Sequence, residues 1–235
     1  MAYLDKLGAA RYTPARRVET TPAAYLATNA ELKELLVRRI TPEMKAGGYT
    51  YDGQYIWYGP WEDHSRRVVE ARRLKSAGVC FTWGRCFDFL PVLAGDGKRV
   101  RYMRTDKSVG RQLMGPFRAW DESFSLLTDG PEQLEADAEA AFLRDRPLWE
   151  AWFRETESLE ACLREAERQG DNPYSSWPTP DYVRAFLLAA LGRKWEAGAA
   201  LEAELDRMAA GSGSGSPPEV RARLLKKLWE LEVES

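Results

Sequence analysis

The chain has 235 residues and a mass of 26.7 kDa, with 44% hydrophobic residues, 30% charged residues and a formal net charge of −2. This balance is typical of a folded globular protein and excludes wholesale disorder. The longest apolar run, Ala185–Leu191, is too short for a membrane span of about 20 residues. Residues 1–22 lack the apolar core of a signal peptide. We therefore expect no membrane association.

The few cysteines and the single histidine limit the disulfides, metal sites and catalytic mechanisms that the protein can contain. The cysteines Cys80, Cys86 and Cys162 are too few and odd in number for a disulfide framework, which favours a reducing cytoplasm. His64 is the only histidine in the sequence, so metal sites built from several histidines are excluded. No nucleophile, base and metal ligand stand together in a recognisable motif. We predict no catalytic residues, no metal site and no cofactor.

Charge is unevenly distributed along the chain. Residues 66–118 carry 13 basic and 4 acidic groups, a net +9, whereas residues 119–170 carry 5 basic and 14 acidic groups, a net −9. Two interpretations stay open. Either the two blocks neutralise each other within the molecule, or one of them faces a partner of opposite charge.

The N-terminal half predicts a helix followed by an antiparallel sheet. A leucine-rich stripe predicts a helix from Ala30 to Ile40, capped by Asn29, and Gly47-Gly48 ends the helical stretch. The Asp52-Gly53 pair is typical of a β-hairpin, and we expect the strands to form a meander packed on the helix. The predicted strands are Tyr49–Asp52, Gln54–Tyr58, Arg66–Leu74, Val79–Leu93 and Arg99–Arg104.

After about residue 128 the pattern becomes helical. Pro131 and Pro147 each predict a helix start, and a further helix is capped by Thr179 and stopped by Gly192. Another helix follows from Lys194, a Gly/Ser linker covers 210–216, and a last helix follows it. The fold class is therefore α+β: an N-terminal helix packed on an antiparallel β-meander, followed by a C-terminal all-helical domain. The domains are an irregular arm at 1–28, a helix-plus-sheet domain at 29–128 and a helical domain at 129–235.

Two groups of side chains are candidates for binding a partner. The aromatic hairpin supplies rings suited either to a contact surface or, on one strand face, to the core. The basic block supplies cations for an acidic partner or a phosphate backbone. The predicted binding residues are Tyr51, Tyr55, Trp57, Trp61, Arg99, Arg101, Arg104, Lys107 and Arg111.

Asp88 stands alone as a candidate acid. It lies in the apolar segment Phe87–Leu90, where a buried carboxylate needs a partner such as Arg85 or Arg101. The alternative is that Asp88 simply faces solvent. Because no second carboxylate is placed beside it, the sequence does not define a hydrolase.

The order of elements over residues 30–105 resembles a bacterial family of domains of unknown function, of the DUF4304 kind. The resemblance rests on a helix, Gly47-Gly48, the Tyr-x-Tyr-Asp-Gly hairpin beginning at Tyr49, and Phe89-Leu90-Pro91. It implies a small α+β domain in a bacterial, cytoplasmic and non-enzymatic protein, and it gives no site residues.

Taken together, these patterns predict a cytoplasmic protein-binding module. We expect a bacterial immunity-type or other inhibitor protein that masks a partner through charged and aromatic surface. The alternative is a single-stranded nucleic-acid binder that uses residues 66–118, although the isoelectric point of about 5.7 argues against it. The third hypothesis is an enzyme that acts on an anionic substrate through Asp88, Arg101 or Lys107.

Overall fold

A helical segment with a widened middle turn follows the first strand of the protein. The computed structural model describes residues 25–75, 77–94, 99–102, 112–116, 123–170, 178–212 and 218–232. Strand β1 (Tyr25–Leu26) precedes helix α1 (Asn29–Leu35), a π-helical turn (Leu36–Ile40) and helix α2 (Thr41–Ala46). Pro42 has no backbone N–H and cannot donate a hydrogen bond to the preceding helical turn. The π-helical turn directly before this helix accommodates the missing bond.

The helix cap lies one residue earlier than predicted. Thr28, not Asn29, caps α1: its hydroxyl accepts the Glu31 N–H at 3.2 Å, and the Glu31 carboxylate accepts the Thr28 N–H at 2.8 Å. This reciprocal capping box satisfies two backbone donors at once, which a cap at Asn29 would not do. The prediction that Gly47-Gly48 ends the helical stretch is confirmed.

The hairpin and the strand predicted at Arg66–Leu74 form as predicted, but the strand predicted at Val79–Leu93 is split, because the chain bends at Asp88-Phe89 and a separate strand begins at Pro91. The predicted five-stranded meander is also wrong. After β1 the described strands are β2 (Thr50–Tyr51), β3 (Ile56–Tyr58), β4 (Ser65–Arg73), β5 (Gly78–Phe87), β6 (Pro91–Ala94), β7 (Arg99–Tyr102), β8 (Leu113–Met114), β9 (Phe124–Ser125) and β10 (Leu127–Thr128). The main sheet has the order β2-β3-β4-β5-β8, and β9 also pairs with β5. A bend after β5 turns the chain away, and within the described residues β6 and β7 pair only with each other. The far edge of β5 is instead covered by β8 and β9.

One long helix replaces two predicted ones on the inner face of the sheet. Helix α3 (Pro131–Glu155) begins at the predicted proline but continues through Pro147. The exposed ring of Pro147 faces away from the core, while the buried Phe142 and Trp149 on either side keep one apolar face in register. Burial of that face outweighs the hydrogen bond that the proline removes.

The remaining helices follow the predicted order. Thr179 caps the second of the four helices that follow α3, and Gly192 ends it with a φ of +76°, as predicted. The predicted linker at 210–216 is wrong in its first residues, because the preceding helix extends to Ser212. The four helices after Pro131–Glu155 are α4 (Leu159–Gln169), α5 (Pro180–Ala190), α6 (Lys194–Ser212) and α7 (Pro218–Glu230).

A continuous cluster of buried apolar side chains joins the sheet to the helices. It runs from Leu32 on α1 through Phe81 on β5 and Trp149 on α3 to Leu228 on α7. The α+β fold class with a C-terminal helical region is confirmed. The domain division at 128/129 stays a prediction, and of the arm at 1–28 only the last four residues are described. Among the described residues, no helix combines the length and the apolarity needed to cross a membrane.

Candidate functional site

Adjacent arginines on β4 serve opposite faces of the sheet. Successive side chains of a strand alternate between faces, so Arg66 and Arg67 point in opposite directions. In the β4–β5 register, Arg66 lies opposite Cys86 and Arg67 lies opposite Arg85. Two arginine-containing sites therefore begin at the same end of the sheet, one on each side.

The first site is the Arg66 cluster, which consists of Tyr58, Trp61 and Arg66. Arg66 is only 2% exposed. Its Cζ atom lies 4.5 Å from the centre of the Tyr58 ring and 4.6 Å from the centre of the Trp61 ring. Its Nε and Nη2 atoms are buried and have no hydrogen-bond partner among the residues that the structure describes. These two nitrogens form the edge of a guanidinium that donates two parallel hydrogen bonds to a carboxylate.

The thiol of Cys86 lies beside the same guanidinium. Burial raises the pKa of Cys86 to about 11, and a side-chain hydrogen bond from Arg66 opposes that rise. A neutral thiol is a weak acceptor, so it does not compensate the positive charge of Arg66. The cluster thus holds a buried cation that lacks an ionic partner among the described side chains.

The second site is built around Arg85, which is 3% exposed on the inner face of β5. Its Nε donates to the Thr156 hydroxyl at 3.1 Å, its Nη1 to the Ser65 hydroxyl at 2.9 Å and its Nη2 to the Phe153 carbonyl at 2.9 Å. All three partners are neutral. Burial lowers the pKa of Arg85, and the nearby positive charge of Arg67 lowers it further.

Arg85 contributes to the floor of a cavity of about 450 Å³, here called the Arg85 cleft. The cleft lies between α2, the sheet and the C-terminal half of α3. Aromatic side chains and side chains of both charges line it. The lining residues are Glu43, Met44, Gly47, Tyr49, Glu62, Arg67, Arg85, Arg146, Trp149, Glu150, Phe153, Arg154 and Glu157.

Part of the rim of the cleft is ion-paired. Arg146 contacts Glu150 at 2.8 Å and Glu43 at 3.4 Å, and Arg67 contacts Glu62 at 3.5 Å. These pairs are partly exposed, and each contributes little to stability. The Tyr49 ring lies under Arg67, and burial raises the pKa of Tyr49 to about 12, so its hydroxyl stays protonated.

Asp88 has a partner other than the two arginines proposed for it. Its carboxylate lies 3.1 Å from Nδ1 of His64, and its backbone N–H donates to the His64 carbonyl at 3.2 Å. His64 and its neighbour Asp63 have φ values of +63° and +45°, which are typical of the tight turn that joins two antiparallel strands. Arg85, one of the two partners suggested for a buried Asp88, points to the opposite sheet face and does not pair with it, and the Asp88 side chain is partly exposed. Asp88 does not line the Arg85 cleft.

The four aromatic candidates have different environments. Trp57 has 0% exposure and donates its indole N–H to the Thr41 hydroxyl at 3.1 Å, so its prediction as a surface contact is wrong. Its strand face packs on the helices. Tyr51 is half-buried against the Trp57 ring, and the Tyr55 hydroxyl donates to the backbone of the first helix. Trp61 alone among the four stacks on a buried cation.

The structure does not place the predicted basic candidates. Arg99 and Arg101 belong to β7, but their side chains lie outside the described part of the chain. Arg104, Lys107 and Arg111 lie outside the described residues altogether. Their assignment to binding stays a prediction.

Sequence reasoning missed the two arginines that organise the sites. Strand parity was the available signal for Arg85, because Val79, Phe81 and Trp83 share its parity and face the core. Arg66 had no comparable signal. Its contact with Trp61 depends on the loop between β3 and β4, whose path the residue types do not define.

Ion pairs connect helix α3 to the π-helical turn Leu36–Ile40. Glu135 on α3 binds both Arg38 and Arg39, and Glu139 binds Arg39 at 3.5 Å. Residues 119–170 are thus neutralised in part from outside the basic block.

Comparison of the chain with protein-family models, with curated proteins and with solved structures finds no match.

Proposed function

We propose that the protein is a protein-binding module whose Arg66 cluster receives a carboxylate side chain of a partner protein. The observation that carries the proposal is the buried guanidinium of Arg66 with unpartnered Nε and Nη2 atoms. A charge that is removed from water without a partner is costly, and a partner carboxylate would supply both missing acceptors.

The composition of the cluster supports a protein partner. Tryptophan, tyrosine and arginine are the residue types that dominate binding energy at protein interfaces. Trp61 lies on the loop between β3 and β4 and is half-buried, and binding would require its ring to move aside from the buried guanidinium. The rings then flank the bound carboxylate and exclude water from it.

The same proposal includes the setting predicted from the sequence: a bacterial cytoplasmic protein of the immunity type or a related inhibitor. The three buried, unbridged cysteines, Cys80, Cys86 and Cys162, support a reducing compartment. An acidic partner surface would also be attracted by the basic block at 66–118, which would raise the association rate.

Panning of a random peptide display library against the full chain tests this function. We expect the selected peptides to share an Asp or Glu. Its replacement by Asn or Gln should weaken binding about tenfold, which is the effect of losing the paired hydrogen bonds between a carboxylate and a guanidinium. Arg66→Lys should cause a similar loss because lysine cannot donate two parallel bonds. Trp61→Ala should weaken binding, whereas Trp195→Ala removes an 84% exposed ring on a different element and should not.

Three results would overturn the proposal. The first is that no peptide is selected. The second is that selected peptides bind Arg66→Lys as tightly as the original chain, or depend on Trp195 instead. The third is that a single-stranded oligonucleotide binds in an Arg66-dependent and steeply salt-dependent manner, which is the signature of phosphate recognition.

A further inference from the structure

We propose that the Arg85 cleft binds a small zwitterionic ligand of the α-amino acid class. This site is separate from the Arg66 cluster, because Arg85 and Arg66 belong to opposite faces of the sheet. The proposal does not depend on a protein partner.

The floor of the cleft calls for a carboxylate. The three hydrogen bonds of Arg85 use three of the five guanidinium N–H groups. Within the described part of the chain, no carboxylate lies at ion-pair distance from this guanidinium. Arg67 is its direct cross-strand neighbour, and two like charges placed opposite each other repel. A bound carboxylate would relieve that repulsion and accept the remaining donors.

The glutamates at the rim of the cleft favour a ligand that also carries a positive charge. Glu62 and Glu157 both act electrostatically on Arg85 without touching it. Glu157 is exposed, and the contact of Glu62 with Arg67 is long at 3.5 Å. Because the lining holds four glutamates against four arginines, a phosphate or another multiply charged anion would meet as much repulsion as attraction. A ligand with an ammonium group beside its carboxylate matches both sets of charges.

The size and walls of the cleft favour an amino acid with an apolar side chain. A volume of about 450 Å³ lies in the range of small-molecule sites. The aromatic walls come from Tyr49, Trp149 and Phe153. Trp149 and Phe153 are anchored in the core from α3, so these walls are preformed.

Isothermal titration calorimetry and thermal unfolding of the full chain test the proposal with amino acids as probes at roughly 10 mM, a concentration that detects weak binding through stabilisation. We expect one or more amino acids with aromatic or branched side chains to raise the midpoint temperature. Their N-acetyl and carboxamide forms, which lack one charge each, should bind about tenfold more weakly.

Glu157→Gln is the main test variant because the side chain is exposed and its replacement should leave folding intact. We expect it to weaken amino acid binding about fivefold and to leave N-acetyl amino acid binding unchanged. Glu160→Gln, an exposed residue on α4 outside the lining, is the matched control and should have no effect.

Several outcomes overturn the inference. One is that no amino acid changes the midpoint temperature or gives a heat of binding. Another is that succinate or inorganic phosphate binds more tightly than any zwitterion. A third is that the N-acetyl form binds as well as the free amino acid, or that Glu157→Gln has no more effect than its control.

Discussion

Replacement of Arg66 by methionine should stabilise the protein, although the residue is almost fully buried. Two unpartnered buried nitrogens cost about 2 kcal/mol each, in total about 4 kcal/mol. Contacts with the Tyr58 and Trp61 rings return about 1.5 kcal/mol each. Methionine keeps an unbranched stem and gains sulfur–aromatic contacts of about 1 kcal/mol. The expected change is therefore an increase of about 2 kcal/mol in the free energy of unfolding.

Urea unfolding followed by circular dichroism measures this change, provided that the m-value stays constant. Arg72→Met, on the same strand and the same face but half-buried, is the matched control and should change stability by less than about 0.5 kcal/mol. If Arg66→Met lowers stability by 1 kcal/mol or more, the guanidinium has a stabilising partner in the folded chain. Arg66 would then need no external carboxylate, and the proposed function would lose its basis.

Further predictions concern the second arginine and the backbone. Arg85→Met should lower the free energy of unfolding by about 3 kcal/mol, measured by the same urea assay, because it leaves two hydroxyls and a carbonyl without their donor. Gly115→Ala should cost more than about 3 kcal/mol, since its Cβ would lie within 3 Å of the buried Trp83 ring; a smaller loss would contradict this packing. Burial raises the pKa of Cys162 from its ordinary value near 9 to about 12, so the folded state holds the proton more tightly than the unfolded state. The free energy of unfolding should therefore be unaffected by this thiol below pH 9 and should fall as the pH rises towards 12. In urea titrations at increasing pH, Cys162→Ala should make that fall less steep.

Local sequence signals predicted those parts of the fold that local chemistry determines. The Asp52-Gly53 hairpin and the Thr179 cap formed because each depends on a few neighbouring residues. The predicted helix start at Pro147 is wrong. A proline in the first turn of a helix and a proline on the exposed side of a helix interior cannot be told apart from the residue type alone. Only tertiary burial of the flanking aromatic face distinguishes the two.

Sheet pairing was less predictable because it depends on contacts between distant segments. Strands β8 and β9 have two residues each, too few to show an alternating pattern. Their pairing with β5 covers an edge that the predicted meander assigned to β7. The same limitation hid the cleft. Its lining comes from four separate elements, α2, β4, β5 and α3, which no local sequence pattern brings together.

The two buried arginines differ in what the fold gains from them, and this difference decides how each site is to be tested. Arg85 binds groups of two elements, the Ser65 hydroxyl on β4 and the C-terminal end of α3, so it contributes to holding the helix against the sheet even when the cleft is empty. Loss of binding in an Arg85 variant would therefore be ambiguous, and the exposed Glu157 gives the cleaner result. Arg66 has two nitrogens that no described residue satisfies, so its removal should separate stability from binding. A variant that unfolds less readily and binds acidic peptides less tightly is the outcome that a purely structural arginine would not produce.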